Sequence, residues 1–265
     1  MMIPELHGKM INADTVVFTA ADENYFNQYA KHLISSAKKH LNFPMHVHLY
    51  NPSEESLNWC RDNNVSVSYE YFDVSCLQPT FERWVVEQTT EENIRKKNHM
   101  IKDPSDHIRL KNEILKTYYA CTRFIRLSQL VEKPTYIIML DTDSIIRKSF
   151  TLPDNTVDIH IFEKKHKKHV PYIQHLASTI FYTGTNDSLK LINDHATAIL
   201  EVYSNDALYW FLDQETLDVV IQKYKKRPLD LTLVDFDMKD ASPIWCAKGP
   251  RKFKDLYLQE IKKYL

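Results

Sequence analysis

Two aspartates one residue apart, Asp141 and Asp143, follow the apolar run Tyr136 to Leu140 in the stretch YIIMLDTDSIIRK. Such a run reads as a buried strand. Alternate side chains of an extended strand share a face, so the two carboxylates are predicted to converge while Thr142 points away. Two ionised carboxylates at close range repel, and one takes up a proton unless a cation lies between them. Mg²⁺ or Mn²⁺ is the simplest partner. Aspartate is also common in turns, and Ser144 is placed to complete one. The carboxyl end of an apolar strand is nevertheless where open α/β sheets place ligands, which favours chemistry over a plain turn.

Two reaction classes use this arrangement. In one, the metal bridges the diphosphate of a nucleotide sugar and neutralises charge developing on the leaving nucleoside diphosphate. In the other, Asp141 is a phosphoryl nucleophile and Asp143 an acid/base, as in haloacid-dehalogenase-like phosphatases. That second class expects its motif near the start of a domain, whereas about half the chain precedes Asp141; Asp235, Asp237 and Asp240 in VDFDMKD supply the later acids it needs. A sugar nucleotidyltransferase and a nucleotide-binding module without turnover stand beside both.

Other residue types add to the pair. Arg109, Lys116 and Arg123 lie seven apart, so a helix through them carries one basic stripe that drifts only about 20° per heptad. Asp213 shares a predicted helical face with Tyr209, Leu217, Val220 and Tyr224. Burying it unpaired is costly, so it has partners or it caps the helix, with Gln214 in the first turn. Lys248, Arg251 and Lys252 surround Gly249. They suit a diphosphate better than a helix start, where the dipole is already positive. The HKKH tract with His175 is read as an exposed segment, because its lysines repel cations.

The elements that must hold these groups follow from periodicity. A strand from Thr15 to Thr19 leads into a helix with Tyr29, Leu33, Ile34 and Ala37 on its apolar face. A strand at Met45 to Tyr50, a helix capped by Ser53 and a strand in VSVSYEYF continue a repeated β-α-β pattern. Residues 81 to 100 look helical but weakly patterned. A long helix from His107 to Val131 feeds the aspartate strand; strands at Val157 to Phe162 and from Ser178 to Gly184 follow. SLKLINDHATAILEVY and LDQETLDVVIQKY read as helices and LTLVDF as a short strand. The class is α/β with a mixed, mainly parallel sheet flanked by helices, taken as a single domain over residues 1–265.

Composition narrows the partners. With 34 Lys+Arg against 35 Asp+Glu, no global charge recruits nucleic acid or an anionic membrane. The sequence has neither a signal-peptide pattern nor a transmembrane run, so a cytoplasmic location is expected. Cys60, Cys76, Cys121 and Cys246 form no C-x-x-C pair and read as reduced thiols. Only three glycines occur, Gly8, Gly184 and Gly249, which excludes a G-x-G-x-x-G or P-loop phosphate cradle.

Several blocks, in order, resemble the GT-A (Rossmann-like) glycosyltransferases, in particular the glycogenin-like and lipopolysaccharide galactosyltransferase-like group of retaining enzymes. They are VVFTAADENYF, LKTYYACTRFIRLSQL, YIIMLDTDSIIRK, FYTGTNDS, LYWFLDQETL and IWCAKGPRK. The resemblance implies transfer of a sugar from a UDP- or GDP-linked donor to a glycan or other hydroxyl acceptor, with Mn²⁺ or Mg²⁺ on Asp141 and Asp143. It places Ala20, Ala21 and Asp22 at the nucleoside, and Lys116, Arg123, Thr142, Gly184, Lys248, Gly249 and Lys252 around the donor. It places Asp213 at acceptor or sugar hydroxyls and Gln214 near the anomeric carbon. The two glycines then allow close approach to the ligand or a positive φ. In one place the sequence departs from the group, which often has a metal-binding His three residues before this glycine: here it is Cys246, a soft ligand poorly matched to either ion.

Overall fold

The first half of the chain alternates strand and helix, and each helix returns the chain to the same end of one sheet. The computed structural model describes residues 3–77, 79, 80, 82, 83, 107–164, 174–205, 208, 209, 211–238, 241–247 and 249–264, with side chains of the helix beginning at His107 described from residue 115 onward. After β1 (His7–Gly8) come β2 (Thr15–Asp22), the short helix α1 (Glu23–Tyr25), a π-helical turn (Phe26–Ala30) and α2 (Lys31–His40). β3 (Met45–Tyr50), α3 (Glu54–Asp62) and β4 (Ser66–Glu70) follow, and the Ser53 hydroxyl accepts the Ser56 N–H at 3.1 Å as the expected cap of α3. The long helix α4 (His107–Leu130) then delivers the chain to β5 (Tyr136–Leu140). The predicted helix in residues 81–100 lies outside the described residues except at 82 and 83.

Beyond β5 the chain leaves the sheet for β6 (Ser144–Ile146), returns through β7 (Ile159–Glu163) and β8 (His175–Thr183), and continues in α5 (Asn186–Ser204) and α6 (Leu212–Val220). Next come β9 (Lys226–Pro228), β10 (Val234–Asp235), β11 (Ile244–Cys246) and α7 (Asp255–Ile261). The large sheet has the order β1-β4-β3-β2-β5-β8-β7-β9, parallel from β4 through β5 and antiparallel where β8 joins β5 and β7. β10, β11 and β6 form a second, three-stranded sheet. Of LTLVDF only Val234 and Asp235 pair, and β7 begins two residues later than the expected Val157.

Helices cover both faces of the large sheet, and β5 shows why its strands are apolar throughout. Ile137 and Met139 enter the core under α4, α5 and α6, with Tyr118, Leu127, Ile199 and Leu217. Ile138 and Leu140 enter the opposite core with Leu33, Ile34 and Ala37 of α2. A strand buried on both sides keeps no polar alternation.

α4 is also pinned by charge. Glu70, fully buried at the end of β4, accepts from Arg126 Nε at 2.5 Å and from Tyr118 Oη at 2.6 Å. Arg126 donates further to the Pro4 carbonyl at 2.7 Å and to Gln129 at 2.7 Å. A buried pair with this many partners is expensive to break, so the rotation of α4 over the sheet is fixed. That rotation aims Lys116 and Arg123.

Candidate active site

β5 ends at Leu140, and the next residues make a turn, in which the Ser144 N–H donates to the Asp141 carbonyl at 3.0 Å. Asp141 and Asp143 are therefore not on one extended strand, as the alternation argument assumed. Their carboxylates converge all the same, because Ser144 immediately starts β6. Its partner β11 is registered with Cys246 opposite Ser144, and the Ala247 N–H donates to the Asp143 carbonyl at 3.1 Å. Switching from one sheet to the other folds the turn back on itself. One oxygen of Asp141, one of Asp143 and Cys246 Sγ lie within 4.8 Å of one another.

A single cleft opens over this turn at the carboxyl ends of β2 and β5. Of the residues singled out from sequence, Ala20, Ala21, Asp22, Lys116, Arg123, Asp141, Thr142, Asp143, Asp213, Gln214 and Lys252 line it together. Lys116 and Arg123, one heptad apart, do share a face; the Arg109 side chain lies outside the described residues, as does Lys248. Gly249 is not among the residues that line the cleft: it starts a 3₁₀ turn (Gly249–Phe253) with φ 65°, so the positive-φ reason for a glycine holds there, and a Cβ would meet nothing within 4 Å. Gly184 lies elsewhere. It follows the end of β8 that pairs with Tyr136, the opposite end from Asp141, and a Cβ there would stand 2.9 Å from the Tyr136 nitrogen. Its φ of 74° and that close packing account for the glycine without any ligand.

Arg123 organises the acids. Its Nη1 pairs with Asp141 Oδ1, and its Nη2 donates to the Ala177 carbonyl at 3.0 Å and reaches Asp213 Oδ2 at 3.4 Å. Its Nε donates to the Ala120 carbonyl at 3.1 Å. The planar fork suits two carboxylates from different elements, a task a lysine ammonium performs poorly. Asp213 is thus an inward, partnered carboxylate. It is not the cap of α6: that position is Phe211, with φ 72° and no side-chain hydrogen bond. From behind, the His195 Nε2–H donates to the Asp213 carbonyl at 3.0 Å, and burial pushes the His195 pKa down to about 3, so the ring is neutral. Gln214, 7% exposed, leaves its Oε1 buried without a hydrogen-bond partner among the described residues.

Lys252 enters from the far end of the chain. Its ammonium hydrogen-bonds Tyr25 Oη at 2.8 Å, lies 4.6 Å from the centre of that ring and stands 3.5 Å from Asp143 Oδ2. The other oxygen, Asp143 Oδ1, is buried with no hydrogen-bond partner among the described residues. Burial first, and the Asp141 charge second, push the Asp143 pKa up to about 7 against the pull of Lys252. An orphaned oxygen beside a second carboxylate is a fit for a hard divalent cation. Cys246 fits it less well, since burial and the charges of Asp143 and Asp141 push its thiol well up and keep it protonated.

Several lining residues had no place in the sequence reading. Tyr119 lies between Lys116 and Arg123 on the same helical face, and Tyr50 stacks on it with centroids 4.5 Å apart. The helical period could have found the first. Ser178 is brought in by the antiparallel pairing of β8 with β5, its carbonyl accepting the Asp141 N–H at 2.8 Å, and no local pattern announces that. Asp235 and Asp237, the acids a phosphatase would use, do not line the cleft; Asp237 pairs with Arg251 at 2.7 Å, and Asp240 lies outside the described residues.

No family model and no curated protein matches the chain. Solved structures do. The galactosyltransferase LgtC, solved with donor and acceptor sugar analogues, superposes with a TM-score of 0.53 at 13% identity over 94% of both chains. The bifunctional glycosyltransferase WbbM gives 0.55 at 13% identity over 96% of this chain and 50% of its own. The chain has a GT-A-like glycosyltransferase fold. GlyE of Streptococcus pneumoniae matches at 0.50 and 10% identity, over 89% of this chain and 55% of that one, so the chain spans about half the length of these last two. At such identities the likeness is one of architecture: the large sheet and the helices on both its faces. None of the described helices is long and apolar enough to cross a membrane.

Proposed function

We propose that this chain is a single-domain glycosyltransferase that moves a sugar from a UDP- or GDP-linked donor to a glycan or other hydroxyl acceptor. The observation that carries this reading is the orphaned Asp143 Oδ1 set beside Asp141 in a cleft that also holds Lys252, Arg123 and Lys116. Four acids, Asp22, Asp141, Asp143 and Asp213, share the cleft with Lys116, Arg123 and Lys252, a mixture that suits an anionic substrate bound together with a metal cation. Asp141 and Asp143 would hold Mn²⁺ or Mg²⁺, which supplies charge neutralisation for the departing nucleoside diphosphate.

The protein groups divide the remaining work. Ala20, Ala21 and Asp22 border the end of the cleft nearest Tyr50 and Tyr119, where flat rings and small side chains suit a nucleoside. Lys252 and Lys116 face the diphosphate, and Thr142, between the aspartates, borders it. Asp213, held by Arg123, accepts hydrogen bonds from sugar or acceptor hydroxyls. Gln214 Oε1, unpartnered, offers partial negative charge to the positive charge that develops at the anomeric carbon as its bond to the diphosphate breaks. The acceptor oxygen forms the new bond and its proton leaves to the diphosphate or to water.

A phosphatase reading needs Asp141 free as a nucleophile, and Arg123 holds that carboxylate. The deciding experiment incubates the protein with Mn²⁺ and a panel of nucleotide sugars, following donor turnover, pyrophosphate and thermal stabilisation. Turnover and stabilisation by a UDP- or GDP-sugar, both lost in Asp141→Ala and Asp143→Ala, are expected. Pyrophosphate release would point to nucleotidyl transfer, and no shift with any donor would remove the reading.

A further inference from the structure

The two acids at the turn already have two cations, and the two pairs differ in kind. Arg123 is locked: besides Asp141 it binds the Ala120 and Ala177 carbonyls and reaches Asp213, from a position about one turn before the Arg126 that Glu70 pins. Lys252 is not. Its contact with Asp143 is 3.5 Å, longer than the roughly 2.7–2.9 Å of a strong charge-assisted bond, and its close partner is a neutral phenol. Its four-carbon stem is flexible, and it sits in the 3₁₀ turn that precedes α7.

Building on the donor reading above, we propose that Lys252 is the resident counter-ion of Asp143 and transfers to the donor diphosphate, so that the divalent cation and the diphosphate bind as one unit. Lys252 held at Asp143 Oδ2 weakens a metal at the orphaned Oδ1, since an ammonium against the same carboxylate repels a second cation. Lys252 leaves at low cost only when another anion takes its place, and a diphosphate in this cleft is that anion. Each ligand therefore lowers the cost of binding the other, and the coupling is reciprocal. Arg123 stays on Asp141 throughout and keeps that carboxylate oriented.

The test measures Mn²⁺ binding to chelator-stripped protein by water-proton relaxation, alone and with saturating UDP or GDP, corrected for Mn²⁺ bound to free nucleotide. Wild type is expected to bind Mn²⁺ about tenfold or more tightly when the nucleoside diphosphate is present. In Lys252→Met, Mn²⁺ alone should bind about threefold or more tightly than to wild type, and the coupling factor should fall by a similar amount. Lys252→Arg should restore the coupling, and Lys254→Met, at an exposed neighbour, should change neither quantity. Mn²⁺ binding alone and coupling both unchanged in Lys252→Met overturn the counter-ion role while leaving the donor reading intact. Failure of wild type to bind either nucleoside diphosphate overturns both.

Discussion

Arg123 Nη2 stands 3.4 Å from Asp213 Oδ2, joining residues 90 apart in the chain, while its sister nitrogen holds Asp141. One planar side chain thus sets the distance between the residue proposed to bind metal and the residue proposed to bind sugar.

From this fork it follows that Arg123→Lys and Arg123→Ala should fail differently. A lysine keeps the charge but reaches one acid at a time, so Arg123→Lys is expected to fold and to lose transfer activity by more than tenfold. Arg123→Ala leaves the half-buried Asp141 and the buried Asp213 without their shared cation and should also cost about 3 kcal/mol of stability. Urea denaturation beside donor turnover separates the two. Equal activity in Arg123→Lys and wild type would mean that the fork positions nothing.

Asp143 should trade stability for function. Its carboxyl, pushed up to about 7, is harder to ionise in the fold than in the unfolded chain. The folded state thus holds an extra proton between the carboxylate's ordinary pKa and about 7; the stability this gives is full at low pH and is lost as pH rises through 7. At pH 8 with chelator, Asp143→Asn is expected to melt higher, by an amount on the order of 2 kcal/mol, while losing all Mn²⁺-dependent stabilisation by nucleoside diphosphates. A lower melting point in chelator would count against the repulsion.

His46 should act on stability in the opposite sense. It is fully buried between the Ser66 and Ser68 hydroxyls at 2.8 and 2.9 Å, and burial, with a smaller contribution from His48, lowers its pKa to about 3. The unfolded chain then binds the extra proton between about 6.5 and 3, so stability is present above 6.5 and falls with pH below it, by up to about 1.4 kcal/mol per pH unit. His46→Asn should flatten the fall measured by urea midpoints between pH 7 and 5, even if it lowers stability at every pH.

Gly184 and Gly249 should separate cleanly. Gly184→Ala meets both a positive φ and backbone atoms at 2.9 and 3.1 Å, and should cost more than about 2 kcal/mol. Gly249→Ala has the same kind of φ but nothing within 4 Å of the added Cβ, and should cost about 1–2 kcal/mol. Because Gly184 lies at the far end of β8, its alanine variant, where folded, should bind nucleoside diphosphates normally. Calorimetric melting with and without Mn²⁺ and UDP checks both statements.

Much of this architecture can be read locally. The β3 boundaries, the Ser53 cap and the apolar face of α4 each follow from a pattern a few residues long. The acidic pair was legible too, although for an incomplete reason: a turn between two sheets, not strand alternation, brings Asp141 and Asp143 together. What the sequence hides are relations across long separations. The Ser178 carbonyl on Asp141, the His195 support behind Asp213 and the loose Lys252–Asp143 pair depend on strand order and helix packing, which no spacing encodes. Gly184 misleads for a related reason, because its packing against Tyr136 is a tertiary fact about a residue type that also marks ligand sites.

The ladder that sets Cys246 opposite Ser144 ties the turn to a segment synthesised well after it. As the chain leaves the ribosome, β5 can already pair with β2 and α2 can already cover Ile146, but β6 carries an open edge until β11 emerges. Chains interrupted before β11 would present that edge and two clustered acids to the cell, whereas a chain that has passed Lys252 closes the edge and supplies the cation in the same stretch.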